Sequence, residues 1–161
     1  MEIAIISDTH LPRGFRRLPE ACLTRLKAAD LIIHAGDLIR LEVLHQLQEL
    51  NRVVAVYGNV DDAAVRAALP ETALVYAGAQ RIAVIHDGGP SAGRLARLKA
   101  GFPEADAVVF GHSHIPVHER SPDGFQIFNP GSPTDRRRQP HHTMGICRAG
   151  QTLDFQLVEL D

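Results

Sequence analysis

Cysteine is nearly absent from this chain, which contains only Cys22 and Cys147. The two lie far apart, each within an apolar segment, so the pattern predicts two reduced core thiols and excludes a disulfide framework or a zinc ribbon. Long apolar runs are also missing, since none approaches the roughly 20 residues that a membrane-spanning helix needs. The start, Met1-Glu2-Ile3, has no basic segment or cleavage site typical of a signal peptide. We therefore expect a cytoplasmic protein that does not contact membranes.

An excess of charge of one sign is lacking as well. The formal net charge at pH 7 is −2, and Lys27 and Lys99 are the only lysines. Such a balance does not favour stable binding of nucleic acid, which depends on basic surface. With 161 residues and no evident linker or repeat, the chain is expected to form a single domain over 1–161. Length and composition leave the oligomeric state open, and a homo-oligomer is compatible with both.

Short apolar runs alternate with amphipathic helices in the first 70 residues, a pattern that predicts buried parallel strands. Beyond them, Ala77-Gly78-Ala79-Gln80 and Ser121-Pro122-Asp123-Gly124 join apolar runs and predict hairpins. Ser91 is predicted to cap the helix that follows it. The order of elements predicts an α/β fold, a four-layer α/β/β/α sandwich of two mixed sheets flanked by helices. A three-layer doubly wound sheet is the alternative.

Side chains able to bind metal stand at the ends of five apolar runs. In order they are Asp8 and His10, Asp37, Asn59, His86, and His112 with His114. Ligands of α/β proteins bind in the crevice beyond the carboxyl ends of the strands, so we expect these side chains to converge there. Any one of them has an ordinary explanation as a turn, cap or core residue. Their recurrence at five strand ends favours a metal site.

The last of these motifs, Gly111-His112-Ser113-His114, makes a conformational demand. If the strand simply continued, His112 and His114 would point to the same face, because side chains two residues apart share a face. We expect the chain to leave extended geometry directly after Phe110, where Gly111 permits a turn.

The combined motifs resemble the calcineurin-like metallophosphoesterases, and most closely their small single-domain bacterial and archaeal phosphodiesterases. The resemblance is carried by Asp8-Thr9-His10, Gly36-Asp37, Gly58-Asn59, His86, Gly111-His112-Ser113-His114 and Asn129-Pro130-Gly131-Ser132. It implies the four-layer sandwich and a dinuclear centre. By this resemblance one metal would be held by Asp8, His10 and His114, the other by Asn59, His86 and His112, and Asp37 would bridge them.

The donor types are themselves informative about cofactor and reaction. Mixed imidazole and oxygen ligands suit Mn²⁺, our first expectation, or Fe, Ni²⁺, Zn²⁺ or Co²⁺, better than Mg²⁺. Two divalent ions can generate hydroxide at neutral pH and clamp the oxygens of an in-line displacement at phosphorus. The expected substrate is a small-molecule phosphodiester, with nucleotides among the candidates. The residues assigned to catalysis are Asp37, Asn59, His86 and His112.

One departure from the wider family bears on substrate class. Many of its phosphatases have a histidine directly after the asparagine, where it can protonate or stabilise the leaving group, and here that position is Val60. Monoesters with poor leaving groups should suffer most from its loss. We therefore predict that diesters are hydrolysed faster than monoesters.

Two other classes of function fit the residues less well. A non-catalytic scaffold resembling the small retromer subunit shares the fold but has a degraded metal site, whereas this chain has a complete ligand set that includes His86. A hydrolase of the metallo-β-lactamase type would need His-x-His-x-Asp-His, but Ile115-Pro116 follows His114.

The roles of three further groups are open in the sequence. His34 either orients a ligand from behind or packs in the core. Arg136, Arg137 and Arg138 either reach a substrate phosphate or form a solvated loop. In the segment 11–17, Phe15 either stacks on a base or, more commonly for such a position, packs beside the start of a helix.

Overall fold

Two five-stranded sheets pack face to face, with helices on both outer surfaces, in the computed structural model, which describes residues 1–161. A 3-10 turn spans Arg13–Phe15. The strands are β1 (Glu2–Ile6), β2 (Leu31–His34), β3 (Val53–Ala55), β4 (Thr72–Ala77), β5 (Gln80–Ile85), β6 (Ala107–Val109), β7 (Val117–Arg120), β8 (Gln126–Asn129), β9 (Thr143–Ala149) and β10 (Leu153–Glu159). The helices are α1 (Glu20–Ala28), α2 (Leu41–Leu50), α3 (Ala63–Ala68) and α4 (Arg94–Gly101).

Both sheets are mixed. The first has the order β10-β9-β1-β2-β3. In it β1, β2 and β3 are parallel to one another, and β9 is antiparallel to both of its neighbours, β1 and β10. The second has the order β4-β5-β6-β8-β7, in which β5, β6 and β8 are parallel and the two edge strands are antiparallel. The parallel strands of each sheet therefore share one carboxyl edge, and the predicted site residues follow five of these strands.

Alternation along β1 shows why its sequence is apolar throughout. Ile3 and Ile5 pack between the sheets, against residues such as Phe128. Ala4 and Ile6 point the other way and pack under α1, α2 and α3. A separate cluster packs α4 against the outer face of the second sheet. Because a strand buried on both faces cannot alternate with polar residues, the continuous run is what the four-layer sandwich requires, and that predicted fold is confirmed.

Local predictions have mixed outcomes. The hairpins β4–β5 and β7–β8 form at the predicted turns, and both cysteines are buried and free. The predicted cap at Ser91 is wrong, because Gly93 occupies the N-cap of α4 and no side chain caps that helix. A search of the helices for a membrane-spanning segment, judged by length and hydropathy, finds no candidate.

Candidate metal centre

The loops that follow β1, β2, β3, β5 and β6 meet at one edge of the sandwich. Backbone hydrogen bonds tie them together: Asp8 N donates to Gly36 O at 3.0 Å, His10 N to Asp37 O at 3.0 Å, and Gly111 N to His86 O at 2.9 Å. The last bond joins two loops of the second sheet, and the first two join loops of the first sheet. The seven predicted donor side chains are thereby brought to one place.

Asp8, His10 and His114 form a first group of donors, called here group 1. Their ligand atoms lie within 4.8 Å of one another, and His114 Nε2 is 3.5 Å from Asp8 Oδ1. These two atoms are buried and have no hydrogen-bond partner. An unsatisfied buried polar atom costs about 1–3 kcal/mol. A divalent cation between them would remove that cost, so the residues fit the metal that the motifs imply.

Asn59, His86 and His112 form a second group, called here group 2. Asn59 Oδ1 lies 3.0 Å from His86 Nε2 and 3.0 Å from His112 Nδ1. Asp37 stands between the groups, since its Oδ2 is 3.3 Å from His10 Nε2 and 3.2 Å from His86 Nε2. This arrangement is the one that a bridging carboxylate needs, while the assignment of each residue to an ion stays a prediction.

The two groups differ in exposure. The residues of group 1 are buried, whereas Asn59 and His112 of group 2 are exposed. A cavity of about 320 Å³ opens beside group 2 and is lined by Asn59, His86 and Arg66, among others. A larger cavity of about 730 Å³, near Gln80 and Gln126, lies at the opposite ends of the strands and touches none of the donors. Group 2 is therefore the more solvent-accessible half of the site.

The backbone at the site is left-handed at five of the seven donors. The φ angles are 55° at Asp8, 47° at His10, 62° at Asp37, 69° at His112 and 59° at His114. Residues with a Cβ adopt this region seldom, and such outliers concentrate at functional sites. For His112 and His114 it means that the chain does leave extended geometry after β6, as expected from Gly111.

Two glycines allow the loops to approach so closely. A Cβ at Gly58 would overlap Asp37 Oδ1 and lie 2.6 Å from Asp37 N. A Cβ at Gly111 would overlap Ser7 Oγ and lie 2.7 Å from Asp8 Oδ2. Gly111 belongs to the second sheet and Asp8 to the first, so the missing side chain lets the two halves of the site meet.

Hydrogen bonds behind the imidazoles fix which nitrogen faces the site. His86 Nδ1 donates to Ala35 O at 2.7 Å, and His114 Nδ1 donates to Asp135 O at 2.5 Å. Each bond directs Nε2 of its ring towards the carboxylates and leaves that nitrogen a lone pair for a metal when the ring is neutral. Such bonds are the usual support of metal-binding histidines, because they set the tautomer and the ring orientation.

The carboxylates and histidines shift one another's ionisation. Burial acts to raise the pKa of Asp37, but hydrogen bonds from His10 and His86 outweigh it and hold that pKa far below its usual range. Burial acts to lower the pKa of His86, but the contact with Asp37 raises it to about 8. Burial raises the pKa of Asp8. The carboxylate of Asp37 is therefore ionised at neutral pH, as a ligand must be, and metal binding would release the proton of His86.

Asp135 is a residue of the site that the sequence did not reveal. Besides its carbonyl bond to His114, its Oδ2 lies 3.5 Å from His10 Nδ1 and 3.1 Å from Arg16 Nη2. Nearby, Ser132 Oγ donates to Asp8 O at 2.8 Å. The polar segment after Asn129 therefore holds the loop after β1 in place, although the two are more than a hundred residues apart in the chain. In the sequence, only the Asn-Pro-Gly-Ser turn pointed to a role for this segment.

Asp61 and His34 hold the loops from inside. Asp61 accepts hydrogen bonds from Asp37 N at 3.0 Å and Gly58 N at 2.7 Å, while its neighbour Asp62 caps α3. His34 is fully buried, accepts from Gly36 N at 3.2 Å and bonds Thr9 Oγ1 at 3.0 Å. Burial lowers the pKa of His34 to about 3, so the ring is neutral. His34 therefore does more than pack in the core, because it holds the loop after β1 through Thr9 and the loop after β2 through Gly36.

The remaining candidates sit at the edge of the site. Arg136, Arg137 and Arg138 are exposed, and Arg137 is near enough to His114 to add to the effect of burial in lowering the pKa of that histidine. Phe15 is 97% exposed, so its interpretation as a packing residue is wrong. Val60 N donates to Asp37 Oδ1 at 3.0 Å, and the aliphatic side chain at this position carries no proton to transfer.

Comparison with known proteins gives consistent matches over nearly the whole chain. A model of the calcineurin-like phosphoesterase superfamily domain matches residues 1–151. A probable metallophosphoesterase of Methanothermobacter thermautotrophicus is 32% identical, with 98% of this chain and 92% of the relative covered. A phosphodiesterase of Methanocaldococcus jannaschii is 29% identical, with 81% and 83% covered. The solved structure of Vps29 from Entamoeba histolytica complexed with Zn²⁺ has a TM-score of 0.77 at 22% identity, with 100% of both chains covered.

Proposed function

Because the chain belongs to the calcineurin-like phosphoesterase superfamily, as its motifs predicted, we propose that it is a metal-dependent phosphodiesterase acting on a small-molecule phosphodiester. The observation that carries the proposal is the pair of buried, unpartnered atoms Asp8 Oδ1 and His114 Nε2, which face each other within a set of converging imidazole and carboxylate donors. A fold that served only as a scaffold would gain nothing from leaving them unsatisfied.

Two divalent cations would occupy the two groups of donors. Group 1 would hold one cation and group 2 the other, and Asp37 would contribute to both because its Oδ2 faces both groups. We expect Mn²⁺ first, with Fe, Ni²⁺, Zn²⁺ or Co²⁺ as alternatives, since imidazole and oxygen donors without thiolate suit these ions. When bound, such ions supply Lewis acidity at the phosphoryl oxygens and lower the pKa of water for attack on phosphorus.

The side chains of group 2 would orient the substrate. Nδ1 of His112 lies 3.0 Å from Asn59 Oδ1, and with this nitrogen on the cation of group 2 the ring proton would be on Nε2, where it could be donated to a phosphoryl oxygen. The side-chain amide of Asn59 has its oxygen towards the histidines, so its NH₂ is available as well. Fixed donors of this kind stabilise developing charge on oxygen and position the phosphorus for in-line attack.

The residue at position 60, a valine, is the reason why we expect diesters to be the preferred substrates. The position next to Asn59 offers only a backbone N–H, which Asp37 already accepts. Without an acid there, leaving groups that need protonation are disfavoured. The name of the Methanocaldococcus jannaschii relative, a phosphodiesterase, points the same way.

The proposal is tested by assaying bis(p-nitrophenyl) phosphate and p-nitrophenyl phosphate side by side with added Mn²⁺. We expect faster cleavage of the diester, and in Asp37→Asn we expect loss of both bound metal and turnover. Glu119→Gln, an exposed acid-to-amide change on β7, is the control and should behave as wild type. Faster monoester cleavage would refute diester preference, and full activity of Asp37→Asn would refute the role of Asp37.

The scaffold alternative has a definite outcome in the same assay. Vps29 shares the fold at low identity, which is a likeness of fold alone. If bis(p-nitrophenyl) phosphate is not hydrolysed with Mn²⁺, Fe, Ni²⁺, Zn²⁺ or Co²⁺, the scaffold is favoured over the enzyme.

A further inference from the structure

The 3-10 turn Arg13–Phe15 follows closely after the donor His10 and is hydrogen-bonded to it. Arg13 N donates to the carbonyl oxygen of His10 at 3.0 Å, and Leu11 pairs with Ile39 from the loop after Asp37. Behind the turn, Arg16 Nη2 lies 3.1 Å from Asp135 Oδ2, the same oxygen that is 3.5 Å from His10 Nδ1. The turn is thus held on both sides by residues that contact group 1.

The side chain of Phe15 has no packing role in the fold. Its side chain is 97% exposed, the largest exposed fraction among the large apolar residues, and it belongs to none of the core clusters. Its φ is 59° and that of Gly14 is 62°, so a bulky residue is held in a backbone region that disfavours it. An apolar ring that is both fully solvated and backbone-strained is stabilised by nothing within this chain.

The surroundings of Phe15 specify what could cover it. Arg13 and Arg17 flank it, are exposed, and form no ion pair. An aromatic face beside unpaired guanidinium groups suits a ligand that combines a flat ring with negative charge. A phosphate ester bearing an aromatic or heteroaromatic group has both properties.

We propose that Phe15 stacks on an aromatic arm of the substrate, which makes nucleotides and other aryl-bearing phosphodiesters the substrate class of this site. The inference rests on the proposed phosphodiesterase function and adds to it which diesters are preferred. Stacking of one base on an aromatic side chain changes affinity about 5-fold to 150-fold, from about 1–3 kcal/mol per base at tenfold per 1.4 kcal/mol.

The test uses two competitors that differ only by a base, AMP and ribose 5-phosphate. Their inhibition constants are measured against hydrolysis of methyl p-nitrophenyl phosphate by the Mn²⁺-loaded protein. In wild type, AMP should bind about 5-fold to 150-fold more tightly than ribose 5-phosphate. Phe15→Ala should abolish this advantage and leave ribose 5-phosphate unchanged, and Phe15→Trp should keep it.

A second readout does not depend on turnover. The sequence contains no tryptophan, so Phe15→Trp introduces a single tryptophan, whose emission can be excited selectively, at the position in question. AMP should quench its emission at concentrations where ribose 5-phosphate does not. Tyr76→Ala is the control, because Tyr76 is a second exposed aromatic, 69% exposed, at the far end of β4, and the variant should retain the full AMP advantage.

The outcomes separate the two proposals. Equal inhibition by AMP and ribose 5-phosphate, or an AMP advantage that survives Phe15→Ala, would overturn the stacking role while diester hydrolysis stands. Absence of diester hydrolysis in wild type would overturn the proposed function, and the quenching titration would then decide alone whether Phe15 binds the base.

Discussion

At the scale of single residues, Asp135 supports two imidazoles of group 1 with different atoms. Its carbonyl oxygen holds His114 and its carboxylate faces His10. Asp135→Asn removes the charge opposite His10 but keeps the carbonyl, so we expect the affinity of group 1 for Mn²⁺ to fall about 10-fold to 100-fold, as is typical for such supporting partners. Calorimetric titration of Mn²⁺ measures this, with Asp154→Asn, an exposed residue of β10, as the unaffected control. Wild-type affinity in Asp135→Asn would show that the carboxylate does not support the site.

His34 gives a prediction about pH. Burial lowers its pKa to about 3 from an ordinary 6.5, so the unfolded state takes up the proton first as pH falls. Stability of the metal-free protein should therefore decrease from pH 6.5 downward, by at most about 1.4 kcal/mol per pH unit from this residue. Urea unfolding with a chelator at about pH 7 and about pH 5.5 should show a smaller decrease in His34→Gln than in wild type. Equal decreases would mean that His34 is not held neutral.

At the scale of elements, the approach of the loop after β6 to the loop after β1 depends on Gly111. A Cβ there would overlap Ser7 Oγ and press on Asp8, so Gly111→Ala should destabilise the protein by about 1–3 kcal/mol and weaken metal binding. Gly150→Ala, where the added carbon meets nothing within 4 Å, is the matched control and should be near neutral. Denaturant unfolding of both variants compares them, and similar stabilities would argue against close packing at Gly111.

The strands and their ends were accessible from the sequence because both depend on local patterns. A continuous apolar run such as Ile3-Ala4-Ile5-Ile6 records burial on two faces, and a polar residue after it records the end of the strand. The position of Asp135 was not accessible, because its contacts with His10 and His114 depend on loops distant in sequence. Likewise α4 begins after Gly93, whose φ of 67° favours glycine, and not after Ser91, the residue type that usually caps a helix. The exposure of Phe15 ran against the usual expectation for an aromatic near a helix start.

At the scale of the whole molecule, cations in the two groups would bind the native state alone and so raise its stability. At a free concentration of about 100 times Kd, each site should add about 2.7 kcal/mol, or roughly 5–10 °C in Tm for a chain of this size. His114→Ala should empty group 1, and His112→Ala should empty group 2, each leaving one ion bound. Metal content and thermal unfolding with and without Mn²⁺ measure both effects. Loss of both ions in each variant would contradict the division.

The donors divide between the sheets in the order in which the chain is made. Asp8, His10, Asp37 and Asn59 follow strands of the first sheet, and His86, His112 and His114 follow strands of the second. A nascent chain therefore exposes only the first half of the ligand set until the later strands have left the ribosome and docked. Neither group is complete before His112 or His114 is in place, and Ser132 and Asp135 close the first loop later still. Binding of cations by both groups would therefore require that strands of both sheets are already in place.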